Sequence, residues 1–134
     1  MSPAAGDRRP RVAVVADDLI WGTRLADGVR RAGGEPVAIR TRAALQAGLA
    51  GADAAIVDTT ARAYDPVEAL RAAASLGIAA IAVAPHVDIA MRRAAKAAGA
   101  GRVHPYQVLF ERGDRELAAW LAGLGEPRRK EERA

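Results

Sequence analysis

The 134 residues include no cysteine, and that single absence removes disulfides, a thiolate nucleophile and thiolate metal ligands together. A reducing, cytoplasmic setting is the matching expectation. No run approaches the roughly 20 apolar residues that a membrane-crossing helix requires. Residues 1–10 are small, polar and charged, without the apolar segment of a signal peptide. Lysine is nearly missing as well: Lys96 and Lys130 are the only two among 20 cations, the rest being arginine. The net charge of +4 sits mostly in residues 1–11 and 125–134, where seven cations face four anions and leave the rest of the chain at +1. A basic face for nucleic acid is therefore not expected. After the first apolar run the chain reads Asp17-Asp18-Leu19-Ile20-Trp21-Gly22. This is neither a dinucleotide fingerprint nor a phosphate loop of the GxxxxGK[ST] kind. No Ser-His-Asp or Cys-His set assembles either, so a non-enzymatic protein is expected.

What the chain does have is rhythm. Apolar runs of strand length alternate with longer segments of helical period, the pattern of a parallel sheet with crossover helices. Strands are predicted over Val12–Ala16, Pro36–Ile39, Ala54–Val57, Ile78–Val83 and Arg102–His104. Helices are predicted over Ile20–Ala32, from Thr41 to Gly51, from Asp65 to Leu76, over Val87–Ala98 and over Asp114–Leu121. In the first helix Trp21, Leu25, Gly28 and Val29 recur every three to four residues. Asp65-Pro66-Val67-Glu68 supplies a cap, a proline at the first helical position and the glutamate of a capping box. The fourth strand is apolar on both faces and so belongs inside a sheet. The simplest closure is a five-stranded doubly wound parallel sheet of order 2-1-3-4-5, a flavodoxin-like three-layer sandwich. It occupies residues 11–122, between tails at 1–10 and 123–134.

Three aspartates stand out. Asp17 and Asp18 follow the first strand and Asp58 follows the third, all at the carboxyl edge where such sheets bind ligands. Three crowded carboxylates repel one another, and a hard cation such as Mg²⁺ relieves that repulsion. A carboxylate beside the metal can then attack a phosphoryl donor. The other reading of each residue is a helix or turn cap. Thr59 and Thr60 offer hydroxyls or amides to an anion, or serve the turn. Trp21 is expected in the core or its rim, and His86 in an exposed loop. The apolar stretch Tyr106, Val108, Leu109 and Phe110 is read as the connection before the last helix.

Val14-Val15-Ala16-Asp17-Asp18, then Asp53-Ala54-Ala55-Ile56-Val57-Asp58, then Ala98-Gly99-Ala100 and a strand ending His104-Pro105-Tyr106, resemble the receiver domain of two-component response regulators. The resemblance spans about residues 11–122. It implies that Asp17, Asp18 and Asp58 are the metal-binding acids, that Mg²⁺ is the cofactor and that Asp58 is the phosphoacceptor. Two positions depart from the receiver pattern. Ala84 falls where receivers carry a serine or threonine hydroxyl, and His104 falls where they carry the phosphate-pairing lysine. Histidine, with a reference pKa of about 6.5, is a weaker cation that titrates near neutrality. With Thr59 it is the candidate for contacting the bound group. The chain thus resembles an atypical or pseudo-receiver. It is expected to be a stand-alone signalling module acting through protein contacts, with a histidine kinase among the implied partners. The face made by helix 4, strand 5 and helix 5, with Tyr106, Phe110 and Trp120, is the expected partner or self-association surface, and no nucleic acid or membrane partner is expected. A flavodoxin-like small-molecule-binding domain and a structural or oligomerising adaptor are the alternative readings.

Overall fold

The structure is a computed structural model and describes residues 9–124. The charged runs assigned to the tails lie largely outside the described residues. Five strands, β1 (Arg11–Val15), β2 (Glu35–Ile39), β3 (Ala54–Asp58), β4 (Ala79–Val83) and β5 (Arg102–His104), alternate with five helices. These are α1 (Leu19–Arg31), α2 (Arg42–Ala50), α3 (Pro66–Ser75), α4 (Ile89–Ala97) and α5 (Tyr106–Ala122). All strand pairs are parallel, in the order β2-β1-β3-β4-β5. The predicted architecture is the observed one.

Period-two alternation divides each inner strand between two apolar layers. Ala13, Val15, Ala55, Val57, Ala80 and Ala82 face α2, α3 and α4, where Leu45, Leu49, Leu70 and Ala95 close over them. Val12, Val14, Ala54, Ile56, Ile81 and Val83 face the other way, onto Leu25 and Val29 of α1 and Leu109, Leu117 and Leu121 of α5. Every residue of β3 is buried, as a central strand covered on both faces must be. Removing Leu25, Leu49, Ile56 or Leu70 from water contributes about 1.5–3 kcal/mol each.

Polar residues set the helix starts. Asp18, Thr41, Asp65 and Asp88 each accept a main-chain N–H from the first turn of α1, α2, α3 and α4. At α3 only half of the predicted capping box forms. Asp65 accepts from Val67 and Glu68 N, while the Glu68 carboxylate pairs with Arg42 at 3.1 Å instead of reaching back. Gly48 allows α2 to lie flat on β2, because a Cβ there would come within 2.5 Å of Ile39 Cδ1.

The largest departure from expectation is α5, which starts at Tyr106 rather than Asp114. Pro105 stands at its N-cap, and its ring-fixed φ suits a helix entrance. Leu109, Leu117 and Leu121 fall on one buried stripe. Burying that stripe against the sheet carries the helix straight through Gly113, whose propensity cost of about 1 kcal/mol the packing outweighs.

Candidate functional site

The carboxyl ends of β1 and β3 bring the three predicted aspartates to one edge of the sheet, and each is engaged by the protein in a different way. Asp17, in the turn after β1, accepts main-chain N–H groups from Arg62 at 2.7 Å and Ala63 at 2.8 Å. It thereby pins the β3–α3 loop across the top of the sheet. Burial would raise its pKa, but those two amides, its own amide and the nearby Arg62 charge outweigh that and hold it below the usual carboxylate value. Asp18 caps α1, accepting from Trp21 N at 2.9 Å, which is the cap reading of this residue.

Asp58 ends β3 and is completely buried. Its Oδ1 accepts from Thr60 N at 2.9 Å and Thr60 Oγ1 at 2.8 Å. The Tyr106 hydroxyl, from the first residue of α5, donates to the same oxygen and lies 3.1 Å from Thr60 Oγ1. Asp58 Oδ2 is buried with no hydrogen-bond partner among the described residues. Burial raises the Tyr106 pKa, and its bond to Asp58 raises it further, so the phenol keeps its proton and acts as donor at every ordinary pH.

A second tyrosine braces the site from beneath. Tyr64 is buried, and its hydroxyl lies 2.6 Å from Val15 O and 2.8 Å from Asp58 O. It links the last residues of β1 and β3, the two strands that present the acids. Desolvation, then the charges of Asp58 and Asp17, raise its pKa and keep it protonated.

An aromatic roof covers the pocket. Trp21 of α1 lies 4.8 Å from the Tyr106 ring and 4.8 Å from the Phe110 ring, centroid to centroid. Arg24 covers Trp21 and Phe110 at 5.4 and 5.5 Å. These contacts join α1 to α5 and hold the Tyr106 phenol over Asp58.

Several predicted site residues point elsewhere. Thr59 is buried, and its amide and hydroxyl both donate to Val83 O, at 3.0 and 2.9 Å, so Thr60 is the threonine that meets Asp58. Val103 packs into the α4 side of the core, so alternation turns Arg102 and His104 to the α5 side. There His104 lines a cleft of about 570 Å³ with Glu116 and Trp120, rather than meeting Asp58. Burial lowers its pKa; Glu116 pulls it up, while Arg102 and Arg92 push it further down. Tyr106 and Phe110, expected on the partner face, instead pack on α1, and of that trio only Trp120 borders the β5 side. Ala84 is fully buried and its amide donates to His104 O at 3.0 Å. His86 is exposed, as expected for a loop histidine.

The acids have the right donor chemistry for a hard cation, and the orphan Oδ2 of Asp58 is the sort of atom one would satisfy. Among the described residues no three His, Asp or Glu side chains are grouped to hold a metal ion, and the Tyr106 phenol donates to Oδ1 of Asp58. Also among the described residues, no helix is long and apolar enough to cross a membrane.

No protein-family model matches the chain, and no curated protein matches it. Solved structures do. The receiver domain of a sensor histidine kinase from Pseudomonas aeruginosa, described with a magnesium ion coordinated in its active-site cleft, is 16% identical. That match covers 86% of this chain and 99% of the other, with a TM-score of 0.72. A CheY-like response regulator receiver domain from Methanospirillum hungatei is 19% identical over 82% and 94% of the two chains, at a TM-score of 0.67. A response regulator receiver domain protein from Clostridium thermocellum is 14% identical over 90% and 97%, at 0.73. With the 2-1-3-4-5 parallel sheet already in place, these likenesses establish that the chain has the receiver-domain fold.

Proposed function

We propose that this protein is a receiver-like signalling module that works through protein contacts, with its acidic pocket closed by Tyr106 instead of open to a phosphodonor. The observation that carries this is the state of Asp58: fully buried, with Oδ1 bonded by Thr60 N, Thr60 Oγ1 and Tyr106 Oη. A nucleophilic carboxylate needs access to the donor phosphorus, and this one has none while the phenol stays in place. The neighbouring groups support the same reading. Ala84 offers no hydroxyl, His104 faces the α5 cleft, and Asp17 and Asp18 are engaged in tying a loop and capping a helix.

A second reading, in which Asp58 accepts a phosphoryl group with Mg²⁺ bound, is favoured by one specific observation. Asp58 Oδ2 has lone pairs that no donor among the described residues uses. Intact-mass measurement after incubation with acetyl phosphate and Mg²⁺ separates the two. The expected result is an unmodified mass. A phosphoryl mass gain in the wild type that disappears in Asp58→Asn would overturn the closed pocket and make Asp58 a working phosphoacceptor.

A further inference from the structure

A cleft opens on the face of β5 that turns toward α5. It holds about 570 Å³ and is lined by Ile81, Gly101, Arg102, His104, Glu116 and Trp120, a size usual for small-molecule sites. Ile81, from the inner strand β4, gives it an apolar floor. Arg102 and His104 belong to the strand wall, Glu116 and Trp120 to the helix wall. Among the described residues none of these four side chains makes a hydrogen bond or ion pair, although a guanidinium and a carboxylate stand on opposite walls. Burial holds His104 toward its neutral form, in which the imidazole both donates and accepts. The strand wall is fixed from behind. Arg92 Nη2 donates to Val103 O at 3.1 Å and Lys96 Nζ to Gly101 O at 3.1 Å, and Gly101 N donates to Ala80 O at 2.8 Å.

We propose that this cleft binds a free guanine nucleotide, with the base stacked on Trp120, its polar edge on Glu116 and its phosphate on Arg102. The proposal is independent of the Asp58 pocket. Glu116 and Trp120 are one helical turn apart and share a face of α5, which puts the carboxylate beside the rim of any ring laid on the indole. Stacking on an aromatic side chain accepts every base, so the carboxylate is what selects. Guanine offers its two oxygens a pair of adjacent N–H donors, at N1 and the 2-amino group, whereas adenine offers a donor beside an acceptor that the carboxylate repels. Arg102, on the opposite wall, supplies the planar fork that grips a phosphate through two parallel hydrogen bonds. His104 is left for a ribose hydroxyl. An inorganic anion alone would leave the indole and the apolar floor uncovered.

Equilibrium dialysis of the full chain against GMP, read by ultraviolet absorbance, tests this. Saturable binding at one site is expected, at least about tenfold tighter than for AMP, which lacks the matching edge, or for guanosine, which lacks the phosphate. Glu116→Gln should remove the preference for GMP over AMP, and Arg102→Ala the preference for GMP over guanosine. Trp120→Ala should weaken all three ligands by at least about fivefold. Glu116 and Arg102 make no side-chain bond among the described residues, so their variants should keep the wild-type circular dichroism. Absence of saturable GMP binding, equal affinity for GMP and AMP, or a base preference that survives in Glu116→Gln would overturn the proposal. Tighter binding of free tryptophan would overturn it in favour of an amino-acid site. Tighter binding of an RNA tetranucleotide holding one guanine would overturn the choice of a free nucleotide.

Discussion

Replacing Tyr106 with phenylalanine removes one hydroxyl and leaves the roof in place, since the ring still meets Trp21 and Phe110. What goes is the phenol donor to Asp58 Oδ1, a hydrogen bond to a buried carboxylate. Bonds to charged groups contribute about 1.5–3 kcal/mol. Asp58 keeps both donors from Thr60, and Tyr106 is only partly buried, so the lower end applies. A loss of about 1.5 kcal/mol corresponds to a fall in melting temperature of roughly 5 °C for a domain of this size. Urea unfolding followed by Trp21 fluorescence in a Trp120→Phe background would measure it, with Trp21 placed directly against the altered ring. The urea dependence should keep its slope, because little surface changes. A double-mutant cycle sharpens the attribution: in an Asp58→Ala background the same change should cost close to nothing, giving a coupling of about 1 kcal/mol or more. A loss below about 0.5 kcal/mol in the wild-type background, or a cost that persists without Asp58, would refute the Asp58–Tyr106 bond and with it the closed pocket.

Tyr64→Phe should destabilise by about 1–2 kcal/mol, because the buried carbonyls of Val15 and Asp58 lose their shared donor; an unchanged urea midpoint would count against the brace. His104 gives a pH signature. Burial favours its neutral form, so below the unfolded value of about 6.5 the unfolded chain binds a proton that the folded chain does not, and stability falls as the pH drops. Melting temperatures from pH 7.5 down to 5 should therefore decline, and His104→Asn should flatten the decline; an identical slope in the variant would show that the histidine does not titrate against folding.

The sheet order was legible because strand-length apolar runs and helical periods alternate without interruption, and because Gly33, Gly77 and Gly99 mark three helix ends with positive φ. The three aspartates were legible as strand-end residues. Their employment was not. Asp58 meets a tyrosine 48 residues away, and Asp17 meets amides 45 and 46 residues on, pairings that only the closed fold creates. Tyr64 lies between the predicted third strand and the predicted third helix, where no periodic signal marks it, yet it is buried. The start of α5 was misplaced because the apolar stretch Tyr106, Val108, Leu109 and Phe110 was read as a connection, whereas the stripe of Leu109, Leu117 and Leu121 that draws it into the helix is a property of packing. His104 was assigned to the pocket by position along the chain, and strand alternation in the three-residue β5 turned it away.

The bonds from Arg92 and Lys96 to Val103 and Gly101 have a consequence for how molecules of this protein meet one another. β5 borders the sheet, and an uncovered border strand is a template on which a foreign strand can grow by backbone pairing. On that side two long cationic side chains already occupy outward carbonyls and place positive charge where another backbone would lie. On the opposite border Glu35 N bonds inward to Pro10 O, so the alternating residue Pro36 is the one turned outward, and proline has no N–H to offer. Each flank thus carries its own deterrent to strand-on-strand stacking, and the protein should resist fibrous self-assembly even when it is concentrated.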